Sequence, residues 1–131
     1  MEFELIHVFN VLPEVIFTSF LDSKAHTEMT GAEANVSDRE GDEFTAWDGY
    51  ISGRNVELEQ GRKIIQFWRT TEFDEGQADS LIEIQLEPTE DGQTVLRLLH
   101  KNLPESDDQY IKGWQDYYFK PMEIYFNSLK R

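Results

Sequence analysis

A chain of 131 residues has room for one domain, and enough length to bury a core without disulfide or metal staples. It has no cysteine, which excludes a disulfide framework, a thiolate metal site and a thiol nucleophile. Its net charge of −14, with the Lys and Arg residues scattered rather than clustered, argues against nucleic acid and anionic membrane surfaces as partners.

The N-terminus, MEFELIHV, carries acids at positions 2 and 4 and no basic stretch, so it does not read as a signal peptide. No apolar run approaches the ~18 residues of a membrane span. A cytoplasmic protein without membrane insertion is expected. Residues 3–10, FELIHVFN, alternate and are rich in Phe, Ile and Val, which predicts a strand. Pro13 suits the first position of a helix running to about Leu21, with Ile16/Phe20 and Phe17/Leu21 at i,i+4 spacing. Asp22 or Ser23 caps a second short helix that ends before Gly31.

A meander follows. ANVSD (34–38) is a strand candidate and REGD (39–42) a glycine turn. EFTAWD and GYISGRNVELE are strands, with a bulge predicted at Asp48–Gly49. Gln60–Gly61 turns the chain, and RKIIQFWRTTEF runs back. After the loop DEGQAD, SLIEIQLEP sets Ile82, Ile84 and Leu86 against Leu81, Glu83, Gln85 and Glu87, one dry face and one wet. Asp91–Gly92 is a hairpin signal, and QTVLRLLHKNL is the last strand.

The period then changes. Ser106 and Gln109 match a capping box, which places a helix start near Asp107. From Tyr110 to Leu129 apolar residues recur at steps of three and four, one broad stripe on a helix of about six turns. Two residues fit it poorly. Gly113 costs about 1 kcal/mol against Ala, which suggests a close approach to another backbone. Pro121 removes a hydrogen bond and predicts a kink near Tyr117 to Lys120. The pattern reads as one α+β domain over 1–131: a curved antiparallel sheet of about six to seven strands wrapped around a long C-terminal helix, with two short helices after the first strand.

Four stretches carry a resemblance. They are FTAWDGYISGRNVEL (44–58), with a D-G-x-I-x-G core at Asp48, Gly49, Ile51 and Gly53, then KIIQFWR (63–69), TVLRLLHKNLP (94–104) and GWQDYYFKPMEIYF (113–126). In that order they resemble the helix-grip fold of the START-like superfamily, and most closely the C-terminal-domain family of the heat-shock protein 90 ATPase activators. In the family's eukaryotic co-chaperone a separate N-terminal domain precedes this one, and the chain is expected to be a stand-alone member. The resemblance implies a chaperone-associated or ligand-binding role, and pairing of the first and last strands.

Alternation in KIIQFWR puts Ile64, Gln66 and Trp68 on one face and Ile65, Phe67 and Arg69 on the other. Trp68 facing the helix with Gln66 beside it is either packed core or the wall of a ligand cavity. The cavity, if real, takes Trp47, Tyr50, Gln66 and Trp68 from the sheet and Trp114, Tyr117 and Tyr118 from the helix, with flexible Met29 at its mouth. Arg54, Arg69 and His100 are its candidate polar contacts. The ligand implied is a small, flat apolar or aromatic molecule, because aromatic walls favour stacking. The alternative is a protein-interaction module with a packed interior that stimulates a chaperone ATPase. His7, His26 and His100 form no ligand-spacing motif, so neither a metal nor a cofactor is expected. No nucleophile motif is present, so cyclase- or hydrolase-like catalysis ranks below binding and the chain is expected not to be an enzyme.

Overall fold

The computed structural model describes residues 1–105 and 108–129. Its strands are β1 (Phe3–Phe9), β2 (Glu43–Ala46), β3 (Ile51–Glu59), β4 (Lys63–Thr70), β5 (Ser80–Pro88) and β6 (Thr94–Lys101). The helices are α1 (Pro13–Phe20), α2 (Ser23–Thr30), α3 (Gln109–Trp114) and α4 (Lys120–Ser128). A π turn, Gln115–Phe119, joins the last two into one C-terminal helix. The six strands form a single antiparallel sheet in the order β1-β6-β5-β4-β3-β2, so the first and last strands pair as expected.

Local chemistry accounts for the helical pair. Leu12 is extended, as a residue before proline must be, and Pro13 opens α1. The Asp22 carboxylate accepts the Ala25 N–H at 2.9 Å, and Gly31 closes α2 at φ +82°. The dry face of the sheet and the apolar stripe of the helix then bury one core, with Phe9, Ile64, Leu98 and Phe126 fully inside it.

Three expectations are corrected. ANVSD is not a strand and makes only the isolated bridge Asn35–Thr45. The segment is held by side chains instead. Ser23 Oγ bonds the Val36 backbone, and buried Asn55 donates its amide to the carbonyls of Ser37 and Arg39, both at 2.9 Å. Nor is there a bulge at Asp48–Gly49. Residues 47–50 are the tight turn between β2 and β3, with φ of +52° at Trp47, +58° at Asp48 and +89° at Gly49. The bulge lies between Asn55 and Glu57, next to the side chain that anchors the loop at Ser37 and Arg39. Finally, Gly113 approaches no other backbone, and a Cβ added there meets nothing within 4 Å.

The D-G-x-I-x-G motif is intelligible in this geometry. Asp48 Oδ1 accepts the Glu33 N–H at 2.7 Å, pinning the turn to the segment after α2. Gly49 takes the left-handed conformation, and Ile51 is buried. At Gly53 a Cβ would sit 1.9 Å from the Phe67 carbonyl oxygen and 2.8 Å from the Phe44 ring, so no side chain fits.

The helix start predicted near Asp107 and its Ser106 cap lie outside the described residues. The kink predicted from Pro121 takes the form of the π turn. Lys120 donates its N–H five residues back, to Gln115 C=O, in the turn that precedes the proline. Pro121 has no N–H to give Tyr117 and crowds that carbonyl, so the wider turn relieves the clash.

Candidate functional site

Between the β2–β4 half of the sheet and the first half of the C-terminal helix lies a cleft of about 490 Å³. Its floor is buried aromatic surface: Trp68 from β4, Tyr110 and Trp114 from α3, and Tyr118 from the π turn, beside Ile51. The rim is Trp47, Tyr50 and Tyr117, with Glu72, Gln109 and Gly113. The volume falls in the range of small-molecule sites.

The rings are fixed by one another and by hydrogen bonds. Trp68 and Trp114 have centroids 5.8 Å apart at 31°, and Tyr110 stands edge-on to Trp68 at 5.2 Å. Across the mouth Trp47 meets Tyr117 edge-on at 5.7 Å, joining the hairpin turn to the helix. Trp47 holds that position in a left-handed backbone conformation, an uncommon one for a bulky residue. Its indole N–H is buried without a partner among the described residues.

Behind the floor a hydrogen-bonded chain has only one arrangement. Trp114 Nε1–H donates to His100 Nδ1 at 3.0 Å, so His100 carries its proton on Nε2 and donates it to Ser80 Oγ at 2.8 Å. Ser80 then donates to the Trp68 carbonyl at 2.7 Å. The imidazole is neutral, its pKa pushed down to about 3 by burial. A second buried histidine acts similarly. His26 gives Nδ1–H to the Phe20 carbonyl at 2.8 Å and accepts the Tyr118 hydroxyl at Nε2, at 2.9 Å. Burial lowers its pKa and raises that of Tyr118. On the rim, Tyr50 donates its hydroxyl to the Glu72 carboxylate. Its pKa is raised, first by desolvation and then by that hydrogen bond, so it remains a donor.

Six of the residues expected from the sequence, Trp47, Tyr50, Trp68, Trp114, Tyr117 and Tyr118, line this cleft. Two do not. Gln66 is on the covered face, but its amide donates to Asn55 Oδ1 at 2.9 Å, away from the cleft. Met29 is buried and does not line the mouth. The expected polar contacts are also placed elsewhere. Arg54 pairs with Glu43 and Arg69 with Asp79, each at 2.7 Å, and both arginines border a separate depression. Arg69 further donates to the carbonyls of Asp74 and Gln77, clasping the 71–79 loop. His100 supports the floor from behind. Tyr110, Gln109, Ile51, Glu72 and Gly113 were not expected in the wall. Tyr110 was within reach of the sequence, since it lies one helical turn before Trp114. Among the described residues no three His, Asp or Glu converge as a metal site.

The family model described as Activator of Hsp90 ATPase homolog 1-like protein matches residues 10–127. The chain belongs to this family. Over 120 residues it is 29% identical to the mouse activator of 90 kDa heat shock protein ATPase homolog 2. Over 123 residues it is 25% identical to the human homolog 1. These alignments cover 91% and 93% of this chain but 36% of each relative, so the chain spans about a third of the length of the curated relatives it matches. Among solved structures, an HSP90 activator from Plasmodium falciparum has a TM-score of 0.87 at 26% identity, covering 95% of this chain and 94% of that one. An Aha1 dimer from Colwellia psychrerythraea has a TM-score of 0.75 at 17% identity, covering 99% and 93%, a likeness of fold alone. The START-like helix-grip architecture read from the residues is therefore that of an Hsp90-activator family member. Among the described residues no helix of this family member is long and apolar enough to cross a membrane.

Proposed function

We propose that this chain is a chaperone-associated domain of the Hsp90-activator type that holds a small, flat, apolar molecule between sheet and C-terminal helix. The observation that carries ligand binding is the 490 Å³ aromatic cleft. The cleft lies open above a packed aromatic floor, and the glycine at position 113 keeps that wall low where most side chains would intrude. The role is binding rather than catalysis. No His, Ser, Lys or Arg lines the cleft among the described residues, and its one carboxylate, on Glu72, is engaged by Tyr50.

A thermal-shift screen of planar aromatics, neutral and cationic, tests this. A ligand present at 100 times its Kd stabilises by about 2.7 kcal/mol, a readily measured rise in Tm. No shift from any such probe would contradict ligand binding.

Association with a chaperone is supported by the family match and by the names of the mouse and human relatives. It is tested by adding the chain to purified Hsp90 and following ATP hydrolysis. Stimulation is the expected result. No change in rate together with no co-elution would remove the chaperone from the account.

A further inference from the structure

We infer that the cleft selects an organic cation: an alkylated ammonium carried on an apolar, flat body. The inference rests on the ligand-binding proposal and adds the charge of the ligand. The wall chemistry points to it. Seven of the eleven lining residues are Trp or Tyr, and the single aliphatic one is Ile51. A pocket for a neutral hydrocarbon is served equally well by Leu, Ile and Val. Indole and phenol add negative ring faces, which attract a cation within about 6 Å of their centroids.

The floor rings from sheet and helix pack on one another and present one continuous aromatic surface to the cleft. Trp68 stands on the sheet, Trp114 and Tyr110 on the helix, and the Trp47–Tyr117 pair closes one end of the mouth. Among the described residues the only charged side chain in the wall is Glu72, at the rim, held there by the Tyr50 hydroxyl. No Lys, Arg or His among the described residues lines the cleft to offset it. The two nearby arginines are neutralised by Glu43 and Asp79 at a different depression.

The field of the whole chain acts in the same direction, since a net charge of −14 concentrates cations near the surface. A bare metal ion or a primary ammonium is too strongly hydrated to enter an aromatic floor. An alkylated ammonium spreads its charge over methyl groups and gives up water cheaply, so it suits both the rings and the Glu72 carboxylate.

Two probes of one shape decide the matter: (4-hydroxyphenyl)trimethylammonium, and 4-tert-butylphenol, in which a neutral carbon replaces the nitrogen. Calorimetric titration of the full chain is expected to give about tenfold tighter binding of the cation. In Glu72→Gln, an exposed rim change, cation affinity falls and 4-tert-butylphenol affinity stays the same. Equal or tighter binding of the phenol, or equal loss of both probes in the variant, overturns the cation inference and leaves an apolar binding cleft. No heat from either probe overturns the cleft proposal as well.

Discussion

The indole N–H of Trp114 donates to Nδ1 of His100 across 3.0 Å, and this bond fixes both the tautomer of the histidine and the ring that floors the cleft. The arrangement makes folding pH-dependent. The unfolded chain takes up a proton on His100 near pH 6.5, whereas in the folded chain burial holds the pKa at about 3. Between those values the unfolded state binds more protons, so stability rises with pH and is lost on acidification. The loss approaches about 1.4 kcal/mol per pH unit over that window. His26, also lowered by burial, acts in the same direction. Urea denaturation from pH 7 to 4 should show a shallower dependence in His100→Asn than in the parent. Identical slopes would contradict the assignment.

Trp114 has two jobs that substitution separates. Trp114→Phe keeps most of the packing but leaves His100 Nδ1 buried without its donor, an expected cost of about 1–3 kcal/mol. Trp114→Ala removes the packing too and should cost about 3–5 kcal/mol, since the ring is only 4% exposed. Chemical denaturation measures both. A loss below about 1 kcal/mol for the alanine variant would mean that this floor is not packed.

Two glycines should behave oppositely. Gly53→Ala forces a methyl against the Phe67 carbonyl and the Phe44 ring, and is expected to destabilise by about 3 kcal/mol. Gly113→Ala places its methyl in open space on a helix and should stabilise by about 0.5–1 kcal/mol. Melting of the two variants beside the parent checks the pair, and a destabilised Gly113→Ala would contradict the open wall.

Asn55→Leu should release the 37–42 segment. It strands the Ser37 and Arg39 carbonyls and removes the partner of the Gln66 amide, a loss of several hydrogen bonds at a fully buried position. Hydrogen exchange is expected to accelerate at Gly41 and Asp42 before it does so in β3. Unchanged protection there would argue against Asn55 as the anchor.

Much of this was legible in the residues. Alternation in 80–88 and 63–69 assigned the covered faces correctly, because a period of two leaves no choice once one face is apolar. The glycines at 61 and 92 marked real turns. Alternation does not say how far along a strand a side chain sits from the cleft. Gln66 was therefore placed on the right face and beside the wrong neighbour, since Asn55 lies opposite it in the ladder. The bulge was misplaced because an Asp-Gly pair serves equally as a turn, and only the pairing of β2 with β3 decides between them. Gly113 was read as a close contact when it marks an opening: a missing side chain leaves the same trace in a sequence for either reason. The arginines were offered as polar contacts although the same alternation puts Arg69 on the face opposite Trp68, where it pairs with Asp79.

The most direct measurement of the central proposal is calorimetric titration of the parent chain and Gly113→Phe with the same planar aromatic cation. The added ring has free space to enter, so the variant should fold with a Tm close to that of the parent while filling the cleft. The predicted result is binding by the parent and none by Gly113→Phe. Equal binding by both proteins would contradict the cleft as the ligand site, and no binding of either the cation or 4-tert-butylphenol by the parent would contradict a ligand site altogether.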